Sequence, residues 1–222
     1  MPGDPLGRSW LFAAIEPAER RWLHERSSIR HFRKGQLLFV EGDPAEWILV
    51  VTAGRLKVST FSPRGDELIP DTVEVGQTVG ELGVLARAPR SASVEALTDG
   101  QGLSVPASAI NDLLERRPEV ARSLLLAVAR HVYRATGTAS DLAFLDLPRR
   151  VAKYLLERWT TAEEASAIDV GLSQRELAAR LGASRQRVNA ALAEFQRRGW
   201  ITLEGQKLSV RDPRALEKLL QT

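Results

Sequence analysis

The chain has 222 residues, 44% hydrophobic and 27% charged, with a net charge of +3, values that fit a globular protein of one large or two small domains and exclude a disordered or fibrous chain. It has no cysteine and three scattered histidines, His24, His31 and His131, which excludes disulfides, thiolate zinc sites, Cys-ligated iron–sulfur clusters and Cys nucleophiles and leaves no metal-ligand spacing. No apolar run approaches the roughly 18 residues of a membrane helix, and Met1-Pro2-Gly3-Asp4-Pro5 lacks the basic-then-apolar pattern of a secretory signal, so a cytoplasmic protein with no membrane partner is expected.

In chain order, a short helix is predicted near Pro17–Arg26, followed by strands over residues 29–106. Ile48-Leu49-Val50-Val51, Leu56-Lys57-Val58-Ser59 and Ala92-Ser93-Val94-Glu95-Ala96 are β-prone runs, and Gly35, Gly42-Asp43, Gly54, Gly65-Asp66, Gly76 and Gly100 punctuate them. Short strands at that spacing indicate an antiparallel barrel or roll. Beyond Pro106 the period changes. Pro118 suits the first position of a helix, and the pattern runs helical to about Leu145. Ala121, Leu124, Val128, His131, Ala135, Thr138, Leu142 and Leu145 form a heptad seam, which points to a two-stranded coiled-coil contact. The alternative is that the same stripe packs onto the roll.

Asp146-Leu147-Pro148 breaks the long helix, and Asp146 can cap the next one, through Arg149–Leu156. The expected organisation is therefore a roll over 1–117, a long dimerisation helix over 118–145 and a C-terminal domain over 146–222. That last domain carries the sharpest physical signal. Ser173-Gln174-Arg175-Glu176 is a capping box. Leu177, Ala178 and Leu181 face inward, Gly182 turns the chain, and Ser184 caps a second helix with Val188, Ala191, Leu192 and Phe195 on one face. Two helices joined by a short Gly-containing turn make a helix-turn-helix. An ordinary αα-corner is the competing reading, but Arg185, Gln186, Arg187 and Asn189 cluster where base edges are read. Ile201-Thr202-Leu203 and Leu208-Ser209-Val210 flank Glu204-Gly205-Gln206-Lys207 as a β-wing, and Asp212-Pro213 opens a terminal helix. Charge agrees: from Leu147 onward fourteen Lys/Arg face nine Asp/Glu, while the preceding residues hold seventeen against nineteen. Arg175 and Lys207 suit phosphate contacts.

Within the roll, Val79-Gly80-Glu81-Leu82-Gly83 precedes Ala88-Pro89-Arg90-Ser91-Ala92. A turn-forming glycine, an acid for a sugar hydroxyl and an arginine for a phosphate can cradle a phosphorylated sugar. An Arg/Glu pair also occurs as a plain structural salt bridge. No His/Asp cluster supplies the metal or activated nucleophile that an enzyme hydrolysing such a compound needs, so no catalytic residue and no metal site are expected.

Gly80-Glu81-Leu82-Gly83 with Arg90-Ser91-Ala92 resembles the phosphate-binding cassette of cyclic-nucleotide-binding domains. Leu142-Ala143-Phe144-Leu145-Asp146 resembles a hinge, and Ser173–Leu177 with Ser184–Val188 the helix-turn-helix, of the CRP/FNR superfamily of bacterial transcription regulators, closest to its cyclic AMP receptor branch. The resemblance spans about residues 10–212. It implies an α+β chain: an N-terminal antiparallel β-roll (a double-stranded β-helix, jelly-roll-like), a long dimerisation helix and a C-terminal winged helix-turn-helix. It further implies a homodimer on palindromic duplex DNA, contact with RNA polymerase and cyclic AMP as effector, with no bound cofactor. Gly80, Glu81 and Leu82 then lie at the ribose, Arg90 and Ser91 at the cyclic phosphate, and Ala135 and Thr136 at the adenine. Phe144, Leu145 and Asp146 form the hinge, and Arg175, Ser184, Arg185, Gln186, Arg187, Asn189 and Lys207 meet DNA.

Three departures are informative. Ala135 lacks the hydroxyl usual in the cyclic AMP receptor, which leaves cyclic GMP, cyclic di-GMP or a ligand-independent factor as alternatives. Gln186 replaces a frequent glutamate and Ala190 a second arginine, so a related but altered palindrome is expected. The absence of cysteine separates the chain from the oxygen-sensing branch, and His31 and His131 are poor haem ligands.

Overall fold

A computed structural model describes residues 4–13, 15–65, 67–161, 168–169, 174–204 and 207–221, with backbone alone at 127, 131, 134, 135, 138, 161, 168, 169, 204 and 207. The elements in order are α1 (Pro5–Arg8), α2 (Pro17–Glu25), β1 (Ser28–Phe32), β2 (Leu37–Phe39), β3 (Trp47–Ala53), β4 (Leu56–Phe61), β5 (Glu67–Val73), β6 (Thr78–Val79), α3 (Glu81–Ala86), β7 (Ser93–Ala96), β8 (Gly100–Pro106), α4 (Ala107–Arg116), α5 (Pro118–Phe144), α6 (Leu147–Thr161), β9 (Ile168–Asp169), α7 (Gln174–Arg180), α8 (Arg185–Arg197), β10 (Ile201–Glu204), β11 (Lys207–Val210) and α9 (Pro213–Gln221).

The chain divides into two compact units, one of residues 1–65 and 70–135, the other of 66–69 and 136–222. Two antiparallel sheets of order β1-β8-β3-β6 and β2-β7-β4-β5 make the roll, which lies in the first unit apart from residues 67–69 of β5. β3 explains its own sequence. Leu49 and Val51 face the space between the sheets with Phe32, Phe39, Leu56, Val79 and Val94. Ile48 and Val50 point the other way, into a layer of helices with Phe12, Leu23, Ile110 and Leu113. A strand covered on both faces reads as an unbroken apolar run because side chains alternate sides.

Gly100, expected as a turn, instead begins β8. It pairs with Phe32 across the sheet, and a Cβ there would run into the Ala53 carbonyl and the Phe32 ring. Close approach, not turn geometry, is the reason for this glycine. Within the long helix, Leu124 of the expected seam belongs, with Val120, to the core beneath the roll, so that position packs within its own unit. Ala121 is exposed, as are Leu125, Leu126, Val132 and Tyr133.

In the second unit, α6 packs against α8 and α9, burying Leu147, Val151, Leu155, Val188, Leu192, Phe195 and Leu216. The caps expected at the starts of α6 and α9 are made. Asp146 Oδ1 accepts from Arg149 N at 3.0 Å, and Asp212 Oδ1 from Ala215 N at 3.0 Å. The β10–β11 hairpin pairs Ile201 with Val210 through Glu204 with Lys207, and β11 also pairs β9. Ser173, the wing tip Gly205-Gln206 and the polar stretch around Glu163-Glu164 lie outside the described residues.

Candidate functional site

The cassette is assembled where β6 meets α3. Gly80 takes a left-handed conformation, φ +88°, that passes the chain from strand to helix, and a Cβ on it would strike Arg90 Nη1. Glycine is required here by both backbone and neighbour. Arg90 itself is only 3% exposed. Its backbone is fixed by the turn at 42–43, where Arg90 N donates to the Asp43 carbonyl at 2.8 Å and Gly42 N to the Arg90 carbonyl at 2.9 Å. Its side chain donates to two main-chain carbonyls, Nη1 to Gly80 at 2.9 Å and Nη2 to Trp47 at 2.8 Å. Aromatic faces wall it in, with the Phe39 ring centroid 4.1 Å and the Trp47 centroid 4.6 Å from Cζ. Arg30 also stacks on Trp47, its Cζ 4.2 Å from the ring centroid.

Two bonds use two of the five guanidinium donors, and Arg90 Nε is buried without a partner. Burial pulls the Arg90 pKa below its ordinary value, opposed by the charges of Asp43 and Glu81. Glu81, 5% exposed, keeps Oε2 buried and unpartnered. Burial pushes its carboxyl up from 4.5 to about 7; its backbone hydrogen bond opposes the rise, Asp71 adds to it and Arg90 also opposes it. The Thr78 hydroxyl beside this carboxyl is also buried. The structure therefore brings Gly80, Glu81 and Arg90 together, and their unsatisfied groups comprise one cation and one acceptor. Leu82 and Ser91 lie exposed next to them in the chain.

Thr136 is exposed on α5 in the second unit, and the Ala135 and His131 side chains are outside the described set. Phe144 is exposed and Leu145 half-buried at the expected hinge, which the ion pair of Lys153 Nζ with Asp141 Oδ2 spans at 2.5 Å.

The second site is the surface of α7 and α8. Ser184 caps α8, its hydroxyl accepting from Arg187 N at 3.4 Å. Gly182, φ +60°, makes the turn between the helices. Arg175, Arg185, Gln186 and Arg187 are exposed, whereas Asn189 is half-buried. Sequence reasoning missed Phe39, Trp47 and Arg30 around the guanidinium, because their contacts join segments far apart in the chain. It also left Gln174 as part of a cap, although its side chain lies against α8. Among the described residues no group of three or more His, Asp or Glu is placed to hold a metal. No described helix is long and apolar enough to cross a membrane.

Residues 29–117 match the cyclic nucleotide-binding domain and residues 149–219 the Crp-like helix-turn-helix domain. The chain is 34% identical over 218 residues to a CRP-like cAMP-activated global transcriptional regulator of Mycobacterium tuberculosis, covering 96% of this chain and 97% of that protein. The chain belongs to the CRP/FNR family of transcription regulators. As a CRP/FNR regulator it binds DNA and is not an enzyme. Solved structures with the same fold include FixK2 of Bradyrhizobium japonicum, with a TM-score of 0.78, 23% identity, and 87% of this chain and 96% of that one covered. Another is the c-di-GMP responsive regulator CLP of Xanthomonas campestris, with a TM-score of 0.77, 20% identity, and 88% and 99% covered.

Proposed function

We propose that this CRP/FNR regulator is a homodimer that binds palindromic duplex DNA in response to cyclic AMP held at Gly80, Glu81, Leu82, Arg90 and Ser91. The observation that carries this reading is the pair of buried, unsatisfied groups Arg90 Nε and Glu81 Oε2. A buried cation is costly without an anion, and a cyclic phosphate supplies one. A ribose hydroxyl supplies the donor that the carboxylate lacks. The cAMP-activated M. tuberculosis relative supports the choice of nucleotide, with Ala135 and Thr136 as its base contacts.

The exposed Leu125, Leu126, Val132 and Tyr133 of α5 support the dimer, since a second copy of the same helix covers them by two-fold symmetry. Nucleotide shifts the population toward the DNA-competent arrangement by binding it more tightly, with Phe144, Leu145 and Asp146 as the hinge. The two reading helices then enter major grooves about 34 Å apart, with Arg175, Ser184, Arg185, Gln186, Arg187 and Lys207 at the interface and Asn189 half-buried beside them. The bound dimer meets RNA polymerase from that position.

Calorimetry with cyclic AMP, cyclic GMP and cyclic di-GMP, paired with DNA titrations, tests the proposal. Heat with cyclic AMP and tighter DNA binding in its presence are expected. Heat with one of the other two alone replaces the effector. No heat from any of them and unchanged DNA affinity identify a ligand-independent regulator and overturn the reading.

A further inference from the structure

Gln174 opens α7, and its Oε1 accepts two hydrogen bonds from α8, one from Arg185 Nη2 at 3.2 Å and one from Asn189 Nδ2 at 3.2 Å. The two donors are four residues apart and share a face of α8, so one carbonyl bridges them. Asn189 is half-buried, and its Oδ1 is buried with no partner. With Nδ2 committed and Oδ1 sealed away, Asn189 does not offer the exposed donor and acceptor that adenine readout needs. Arg185 remains exposed, and among the described residues its guanidinium is bonded to no carboxylate.

We infer that Gln174 is a positioning residue for base recognition: its carbonyl, shared between Arg185 and Asn189, fixes the Arg185 guanidinium so that its remaining edge meets guanine. The inference rests on Arg185, one of the interface residues proposed above, reading a base edge. A long arginine loses conformational freedom on binding, and a restraint already present in the free protein reduces that loss. A neutral carbonyl provides the restraint without cancelling the charge, and it leaves four of the five N–H donors for the guanine O6/N7 fork and nearby phosphates. Asn189 then acts inside the protein, holding the Gln174 amide from below.

The test uses the full-length protein and an operator recovered by selection from randomised duplex DNA, with or without excess cyclic AMP, whichever binds more tightly. Affinity is measured for the operator and for its single-base variants, across salt. Arg185→Ala identifies the position that Arg185 reads. Gln174→Ala is expected to reduce discrimination at that position by about two- to tenfold, the worth of one hydrogen bond. It leaves other positions and the salt slope unchanged and adds nothing in the Arg185→Ala background. Gln174→Glu keeps the acceptor and so retains the discrimination, while its new charge weakens binding to all sequences. Equal losses at every position with a shallower salt slope make Gln174 a phosphate contact and overturn the inference. So does an undiminished effect of Gln174→Ala without Arg185. If Arg185→Ala leaves discrimination intact everywhere, the base-reader assignment falls and takes the inference with it.

Discussion

Arg90 and Arg185 are the same side chain used in opposite ways. Arg90 is sealed in the corner made by the Phe39 and Trp47 rings and tied to the main-chain carbonyls of Gly80 and Trp47. Arg185 stands in solvent, restrained by one side-chain amide. A guanidinium out of water interacts strongly with a single small anion, because little dielectric screening remains. An exposed one is screened by salt, and it contributes as one of many contacts to a long polyanion. The roll is thus suited to one ligand with a few strong bonds, the helix-turn-helix to a polymer with numerous weak ones.

The contrast can be broken most directly at Arg90. Arg90→Met is expected to lower cyclic AMP affinity more than about 100-fold, since two charge-assisted bonds at about 1.5–3 kcal/mol each are removed. Calorimetry reads the loss, and DNA affinity without nucleotide is expected to stay unchanged. The next effect comes from Glu81. Its carboxyl is raised from 4.5 to about 7 in the fold, so the folded state holds a proton that the unfolded chain releases. Stability contributed by that proton is complete below about pH 4.5 and lost as pH rises through about 7, up to roughly 3 kcal/mol. Denaturant unfolding of the nucleotide-free protein from pH 5 to 9 measures it, and Glu81→Gln is expected to flatten the dependence.

On the DNA side the effects are smaller. Arg185→Ala is expected to cost about 1–3 kcal/mol of discrimination at one base pair, read from single-base operator variants. Arg175→Ala is expected to weaken all sequences alike and to reduce the salt slope by about one, seen in binding titrations across salt. A base-specific effect from Arg175, or a uniform one from Arg185, erases the division of roles on this surface.

Local chemistry was the most legible in the sequence. The caps at Asp146, Ser184 and Asp212 and the turn at Gly182 each depend on residues within a few positions, and all are formed. The cassette was legible as a resemblance, since Gly80, Glu81 and Arg90 sit close in the chain. Its aromatic walls were not, because β2 and β3 deliver Phe39 and Trp47 through sheet pairing that no short window encodes. A heptad in α5 does not reveal which of its positions also meet the roll, and Leu124 belongs to that core. Gly100 looked like punctuation because close packing and turning call for the same residue.

Position 80 has a bearing on how such a sensor is lost. Its missing Cβ leaves the space that Arg90 Nη1 fills, so the two positions compete for one volume. A lineage that gains a side chain at 80 expels the cation and strains a left-handed backbone in one step. Nothing then preserves arginine at 90. Once both have changed, neither reversal alone restores the cradle, so the loss works as a ratchet.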